Sequence, residues 1–139
     1  MYPANITRHE AAARAQIISS HTYQVMVDLS GRPADAADEG SGATFVSSSV
    51  IGFSSTGGSS FVNLIADRVL TLTLDGEPLA PEAFADDKVS FSVEAGPHEL
   101  VVVAVCRYSR TGEGLHRFTD PVDNQQYIYS QLETADARR

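Results

Sequence analysis

The apolar positions of this chain change their period once, close to residue 20. Before that point, Thr7-Arg8-His9-Glu10 has the form of a capping box. The Thr7 hydroxyl accepts from the backbone N–H of Glu10, and the Glu10 side chain reaches back. Ala11, Ala12, Ala13, Ala15 and Gln16 follow, and all are good or fair helix formers. This predicts one short helix over about 8–18, with Ile17 and Ile18 as its sticky end.

Beyond it the pattern alternates. Tyr23, Val25, Val27 and Leu29 fall on one face of a strand. Gly31 to Gly42 is polar, acidic and small, which predicts an exposed loop. Phe45 to Phe53 mixes apolar residues with serines, the mark of a strand with one wet face. Ser54-Ser55-Thr56-Gly57-Gly58-Ser59-Ser60 then predicts a flexible turn, and Phe61 to Ile65 a short strand. Leu70, Leu72 and Leu74 alternate with Thr71 and Thr73, as in a half-buried strand. Asp75-Gly76 supplies a tight hairpin turn. Pro78 to Ala85 is a polar connection; Val89, Phe91 and Val93 mark the next strand; Gly96-Pro97 predicts another turn. Leu100 to Cys106 is apolar throughout, which predicts a central strand buried on both faces. Tyr108 to Phe118 is mixed and charged, Asp120 to Asn124 is a turn, and Tyr127 to Leu132 is the last strand. Short strands divided by turn signals predict a mainly β fold, an antiparallel β-sandwich with one N-terminal helix. The 139 residues suit a single domain, 1–139, without internal repeats.

Charge narrows the possible partners. Residues 1–106 carry 5 basic and 13 acidic side chains, and residues 107–139 carry 5 of each, so the net charge of −8 lies in the first part. No basic stripe exists for a nucleic-acid backbone or an anionic membrane, so neither partner is expected. No apolar run is long enough to span a bilayer. The N-terminus shows no basic-then-apolar signal segment, which makes the cytoplasm the expected compartment. Asn5-Ile6-Thr7 matches a glycosylation sequon by chance on that reading. Cys106 is the single cysteine and reads as a buried core thiol.

The search for chemistry is mostly negative. His9, His21, His98 and His116 have no metal-pair spacing, and Ala13 stands where an H-E-x-x-H motif starting at His9 needs its second imidazole. Gly57-Gly58 lacks the lysine of a phosphate loop. Asp38-Glu39 and Asp86-Asp87 are acidic pairs of solvated loops, short of the six to eight oxygens that calcium takes. No metal or other cofactor is expected in this chain.

One stretch is more specific. Tyr108 to Arg139 reads YSRTGEGLHRFTDPVDNQQYIYSQLETADARR. Its Gln131-Leu132-Glu133, followed by Ala135-Asp136-Ala137-Arg138-Arg139, resembles the end of the N-terminal domain of the aminopeptidase N family, the gluzincin-type zinc aminopeptidases. Gly112-Glu113-Gly114-Leu115-His116-Arg117-Phe118 and Asp120-Pro121 resemble the bacterial branch. Asn5 to Ala11, Tyr23-Gln24-Val25 with Asp28-Leu29, and Leu74 to Leu79 extend the resemblance upstream with lower specificity.

The resemblance implies a saddle-like β-sandwich that packs on a downstream catalytic domain holding the zinc, the general base and the exopeptidase motif. The sequence stops in a helix-forming stretch, so the expectation is an incomplete N-terminal domain of a longer hydrolase, inactive alone. Two residues carry over. Glu133 matches the acid that holds the free α-amino group of a peptide substrate, a task that suits a carboxylate. Gln131 matches the residue lining the first side-chain pocket. Leu132 is expected to point the opposite way, into the core. Arg138-Arg139, His116 and Arg117 read as structural. Tyr127–Leu132, or the edge next to it, is expected to pair with another copy or stay mobile. The competing reading is a stand-alone β-sandwich module that binds protein or carbohydrate.

Overall fold

In the computed structural model, residues 5–35 and 42–138 are described. The acidic pair Asp38-Glu39 and the terminal Arg139 lie outside them. The predicted helix is α1, Arg8–Ile17, and its capping box is formed on both sides. The Thr7 Oγ1 accepts from the Glu10 N–H at 3.1 Å, while the Thr7 N–H donates to Glu10 Oε2 at 2.8 Å. Lys88 Nζ lies 2.8 Å from Glu10 Oε1 and so ties the helix to the sheet. These bonds lower the Glu10 pKa to about 2, the Lys88 ammonium being the largest cause. One turn later, Arg14 donates to Asn63 Oδ1 at 2.8 Å. Ile18, at the sticky end, packs against the core.

Among the described residues eight strands follow: β1 (Ile18–Asp28), β2 (Thr44–Asn63), β3 (Arg68–Leu74), β4 (Glu77–Pro78), β5 (Phe84–Ala85), β6 (Lys88–Arg107), β7 (Gly114–Thr119) and β8 (Gln126–Gln131). A 3-10 turn, Pro81–Ala83, precedes β5. All named pairings are antiparallel. The first six strands form one sheet in the order β1-β2-β6-β3-β4, with β5 on β6, and β7 and β8 form a second. The fold is therefore mainly β with one helix, as the sequence pattern predicts.

Two predicted turns are not turns. The Ser54–Ser60 segment runs inside β2, and Gly96-Pro97 runs inside β6. The two strands pair almost end to end, and the breakers meet: Ser54 faces Pro97 and Ser55 faces Gly96. Gly57, Gly58 and Gly96 take φ of 93°, 128° and 131°, a region that a Cβ disfavours. The breakers thus bend a continuous ribbon instead of ending it. On the near side of the bend, Phe45, Ile51 and Phe53 of β2 point inward with Leu100, Val102, Ala104 and Cys106 of β6. On the far side the inward set is Phe91 and Val93. Phe53 and Phe91 meet across the core with ring centroids 5.7 Å apart.

The run Leu100–Cys106 is central, between β2 and β3, as predicted. Its two faces are covered unequally: Leu100, Val102, Ala104 and Cys106 are all buried on one, while on the other Val105 is buried and Val101 and Val103 are partly covered. The Cys106 thiol is a core group, and burial pushes its pKa up to about 11. In β3 a bulge between Val69 and Thr71 moves Leu70 out of phase. Val69, Leu72 and Leu74 pack on the core, and Leu70 is exposed. The Asp75-Gly76 turn forms as predicted, with φ of 53° and 84°. Asp86 and Asp87 likewise take φ of 52° and 58°, making the acidic pair a tight turn before β6. The strand face of Tyr23, Val25 and Val27 is open: it continues the core face of β2, since Tyr23 pairs with Ile51, but nothing among the described residues covers it.

Candidate functional site

The C-terminal hairpin positions both predicted site residues. β7 and β8 pair from Gly114↔Gln131 to Thr119↔Gln126. The connecting turn is closed by Asp120, whose N–H donates to the Gln125 carbonyl and whose carbonyl accepts from Asn124. Asp123 Oδ2 accepts from the Tyr127 hydroxyl at 2.6 Å. That bond is the main reason the Asp123 pKa lies below its ordinary value.

Directly opposed residues share a face. One face carries His116, Phe118, Tyr127, Tyr129 and Gln131. Its rings stack in cross-strand pairs, His116–Tyr129 at 4.7 Å and Phe118–Tyr127 at 5.6 Å. His116 Nδ1 accepts from the Gly112 N–H at 3.0 Å, which fixes that imidazole. The other face turns toward the main sheet. Leu115 packs on the core, and the Arg117 guanidinium lies 5.2 Å from the Tyr108 ring centroid. His116 and Arg117 are thus packing residues, as expected.

Gln131 is the last residue of β8, exposed, with Gly114 opposite. Glu133 comes after the strand has ended. Its carbonyl accepts from Asp136 N–H at 2.8 Å and Ala137 N–H at 3.1 Å, so it opens the turn of residues 134–138. That turn is anchored: the Arg138 carbonyl accepts from Ile65 N–H at 2.7 Å, and its guanidinium donates to Asn5 Oδ1 at 2.8 Å. Arg138 has a structural part, as expected, tying the turn to the Asn5 side-chain amide and to the Ile65 backbone. Neither the Gln131 amide nor the Glu133 carboxylate is hydrogen-bonded to another described residue.

One expectation fails here. Leu132 does not enter the core; it is 55% exposed. Pairing stops at Gln131, so no sheet stands behind the next residue. For the same reason Gln131 and Glu133 are not two alternating positions of one strand. They are the end of a strand and the start of a turn.

A groove of about 510 Å³ lies beside this segment, between α1, β1 and the turn. Thr134, Ala137 and Arg138 line it, above a floor that includes Phe53 and Phe91. Gln131 and Glu133 do not line it. Among the described residues no group of three or more His, Cys, Asp or Glu is placed to hold a metal ion. The described residues do not fit a zinc site. No helix is long and apolar enough to cross a membrane among the described residues.

Sequence reasoning missed His98. Its Nδ1 lies 2.7 Å from Asp75 Oδ2 and its Nε2 lies 2.9 Å from the Glu94 carbonyl. Both partners only accept, so the protonated ring is the form that satisfies both bonds. Its pKa is raised, chiefly by Asp75, and that of Asp75 is lowered, chiefly by His98. The pair braces the Asp75-Gly76 turn, since Asp75 Oδ1 also accepts from Glu99 N–H at 2.8 Å. The aromatic face of the hairpin was legible only as alternation: His116 with Phe118, and Tyr127 with Tyr129.

No family model matches the chain. Among curated proteins, an aminopeptidase N of Streptomyces lividans is 42% identical over 137 residues, which is 97% of this chain and 15% of that relative. The chain is therefore similar to aminopeptidase N over nearly its whole length, and it spans about 15% of the length of the curated relative it matches.

Proposed function

We propose that this chain is the substrate-binding N-terminal part of a zinc-dependent aminopeptidase, a cytoplasmic hydrolase that removes residues from the N-termini of peptides. The observation that carries the reading is the 42% identity to aminopeptidase N across 97% of the chain. The Glu133 carboxylate holds the peptide's α-ammonium, and Gln131 lines the place of the first side chain. A charged acceptor makes a short, strong bond to an ammonium and leaves a blocked N-terminus without its partner, so it selects free ends. Both groups are exposed, at the end of a braced hairpin and the start of an anchored turn. The zinc and the hydrolytic groups belong, on this reading, to a downstream catalytic domain of the longer protein.

The test is a titration of the chain with a short peptide, carried out with a free and with an acetylated N-terminus. The free peptide binds more tightly, and Glu133→Gln removes most of the difference. Equal binding of both peptides to the wild-type chain contradicts the proposal. Hydrolysis of an aminoacyl-anilide by the chain alone, or one tightly held zinc per chain, also contradicts it.

A further inference from the structure

The β7–β8 hairpin leaves its aromatic face open. Phe118, Tyr127 and Tyr129 are 43%, 44% and 47% exposed. The rings form a two-by-two array, with Phe118 6.0 Å from His116 and 6.5 Å from Tyr129 as well as stacked on Tyr127. A carboxylate stands beside the array at its turn end, and a second follows the strand at its other end. Asp123 is bonded to the Tyr127 hydroxyl, and Glu133 lies two residues past Gln131. Arg117, the cation within these strands, is on the opposite face, over Tyr108. An aromatic array with a carboxylate beside it is complementary to a cation.

The fold already uses this chemistry. Lys88 Nζ lies 4.6 Å from the Phe61 ring centroid and 2.8 Å from the Glu10 carboxylate. Arg14 lies 4.8 Å from the same ring. A cation held by a ring and a carboxylate therefore bridges α1 to the sheet. The hairpin offers the same two groups outward.

We infer that the open aromatic face of the hairpin binds a basic side chain, arginine or lysine, of a peptide ligand. The identity of that peptide as an aminopeptidase substrate rests on the function proposed above. Along β8, Tyr129 is roughly 7 Å and Tyr127 roughly 14 Å from Gln131, at about 3.4 Å per residue. An extended peptide whose first side chain meets Gln131 brings its third and fifth side chains over these rings. The surface therefore favours substrates with a basic residue downstream of the one removed. The guanidinium or ammonium lies against the ring faces, and its alkyl stem covers Phe118.

The experiment titrates the 139-residue chain with Ala-Ala-Arg-Ala-Ala, followed by the Tyr127 and Tyr129 ring signals in NMR. The comparison peptides carry citrulline or norleucine in place of arginine, and each is used with a free and an acetylated N-terminus. The arginine peptide is expected to bind about three- to tenfold more tightly than the citrulline peptide. Phe118→Leu and Tyr129→Leu should each reduce that ratio, and Asp123→Asn should reduce it without removing any ring. The amide spectrum of each variant reports whether the hairpin is intact. Equal affinity for arginine and citrulline, or no shift of the ring signals at millimolar peptide, overturns the inference. So does binding of a neutral oligosaccharide at these rings with no preference among the peptides. An arginine preference that survives acetylation unchanged supports this surface while contradicting the role of Glu133. A preference for the free amine without one for arginine does the reverse.

Discussion

The β2–β6 ribbon and the β7–β8 hairpin use the same alternation of side chains to opposite ends. In β6, Leu100, Val102, Ala104 and Cys106 alternate into a core closed by Phe45, Ile51 and Phe53. In the hairpin, His116, Phe118, Tyr127 and Tyr129 alternate onto a face that leaves Phe118, Tyr127 and Tyr129 exposed. The difference lies in what stands behind each strand. The ribbon bends at its glycines and brings its own far half over its inner face. The hairpin is joined to the main sheet through Tyr108, Ser109 and Leu115, and only its inner face has a neighbour. Alternation thus records that a strand has two unlike faces; it does not say which is buried. The candidate site sits at the end of the open element, so its residues are spared from packing.

That division can be broken from the core side with the largest effects. Leu100, 1% exposed, is the largest fully buried side chain of the ribbon. Leu100→Ala should cost about 3 kcal/mol in urea unfolding, the lost transfer energy plus a cavity that its rigid neighbours do not fill. A loss below about 1 kcal/mol would mean that the core is loosely packed. Gly58→Val is expected to cost less, about 1–3 kcal/mol, because the residue must hold φ of 128°. The nearest atom to an added Cβ is Ile17 Cδ1 at 3.5 Å, so the cost is backbone strain and not collision. Thr7→Ala should remove about 1 kcal/mol by opening the capping box.

The brace on the Asp75-Gly76 turn gives a smaller, pH-dependent effect. The His98 pKa is raised above its ordinary 6.5, so its contribution is complete below pH 6.5 and is lost as pH rises through the folded value. The Asp75 pKa is lowered from 3.8, so its contribution is complete above that pH and is lost as pH falls. Asp75→Asn should therefore destabilise most between about pH 4 and 6.5, with the difference shrinking on both sides. Asn tolerates the left-handed backbone of the turn, so the variant isolates the ion pair. Thermal unfolding of both proteins from pH 3 to 9 reads this directly, and a pH-independent difference would remove the ion pair from the account.

Much of this fold was legible in the residues. The capping box named the helix, Asp75-Gly76 named its hairpin, and the unbroken run to Cys106 named the central strand. What was misread depended on pairing. Gly57-Gly58 and Gly96-Pro97 have turn composition, and only the pairing of β2 with β6 through both segments makes them a bend. The bulge at Leu70 is likewise a property of two strands and not of one. Gln131 and Glu133 were found through a motif, whereas their surroundings were not. The end of pairing at Gln131 leaves Leu132 in solvent and places Glu133 in a turn.

The central claim is that peptide recognition belongs to this exposed strand end and the core is its scaffold. Two-dimensional amide NMR of the chain, titrated with a free-amine peptide, tests it most directly. The account predicts shifts confined to residues 114–118 and 127–134, with Leu100–Cys106 unmoved, and their loss in Glu133→Gln, whose stability stays within about 0.5 kcal/mol of wild type. Shifts centred on the groove between α1 and β1, or unchanged by that substitution, would contradict it.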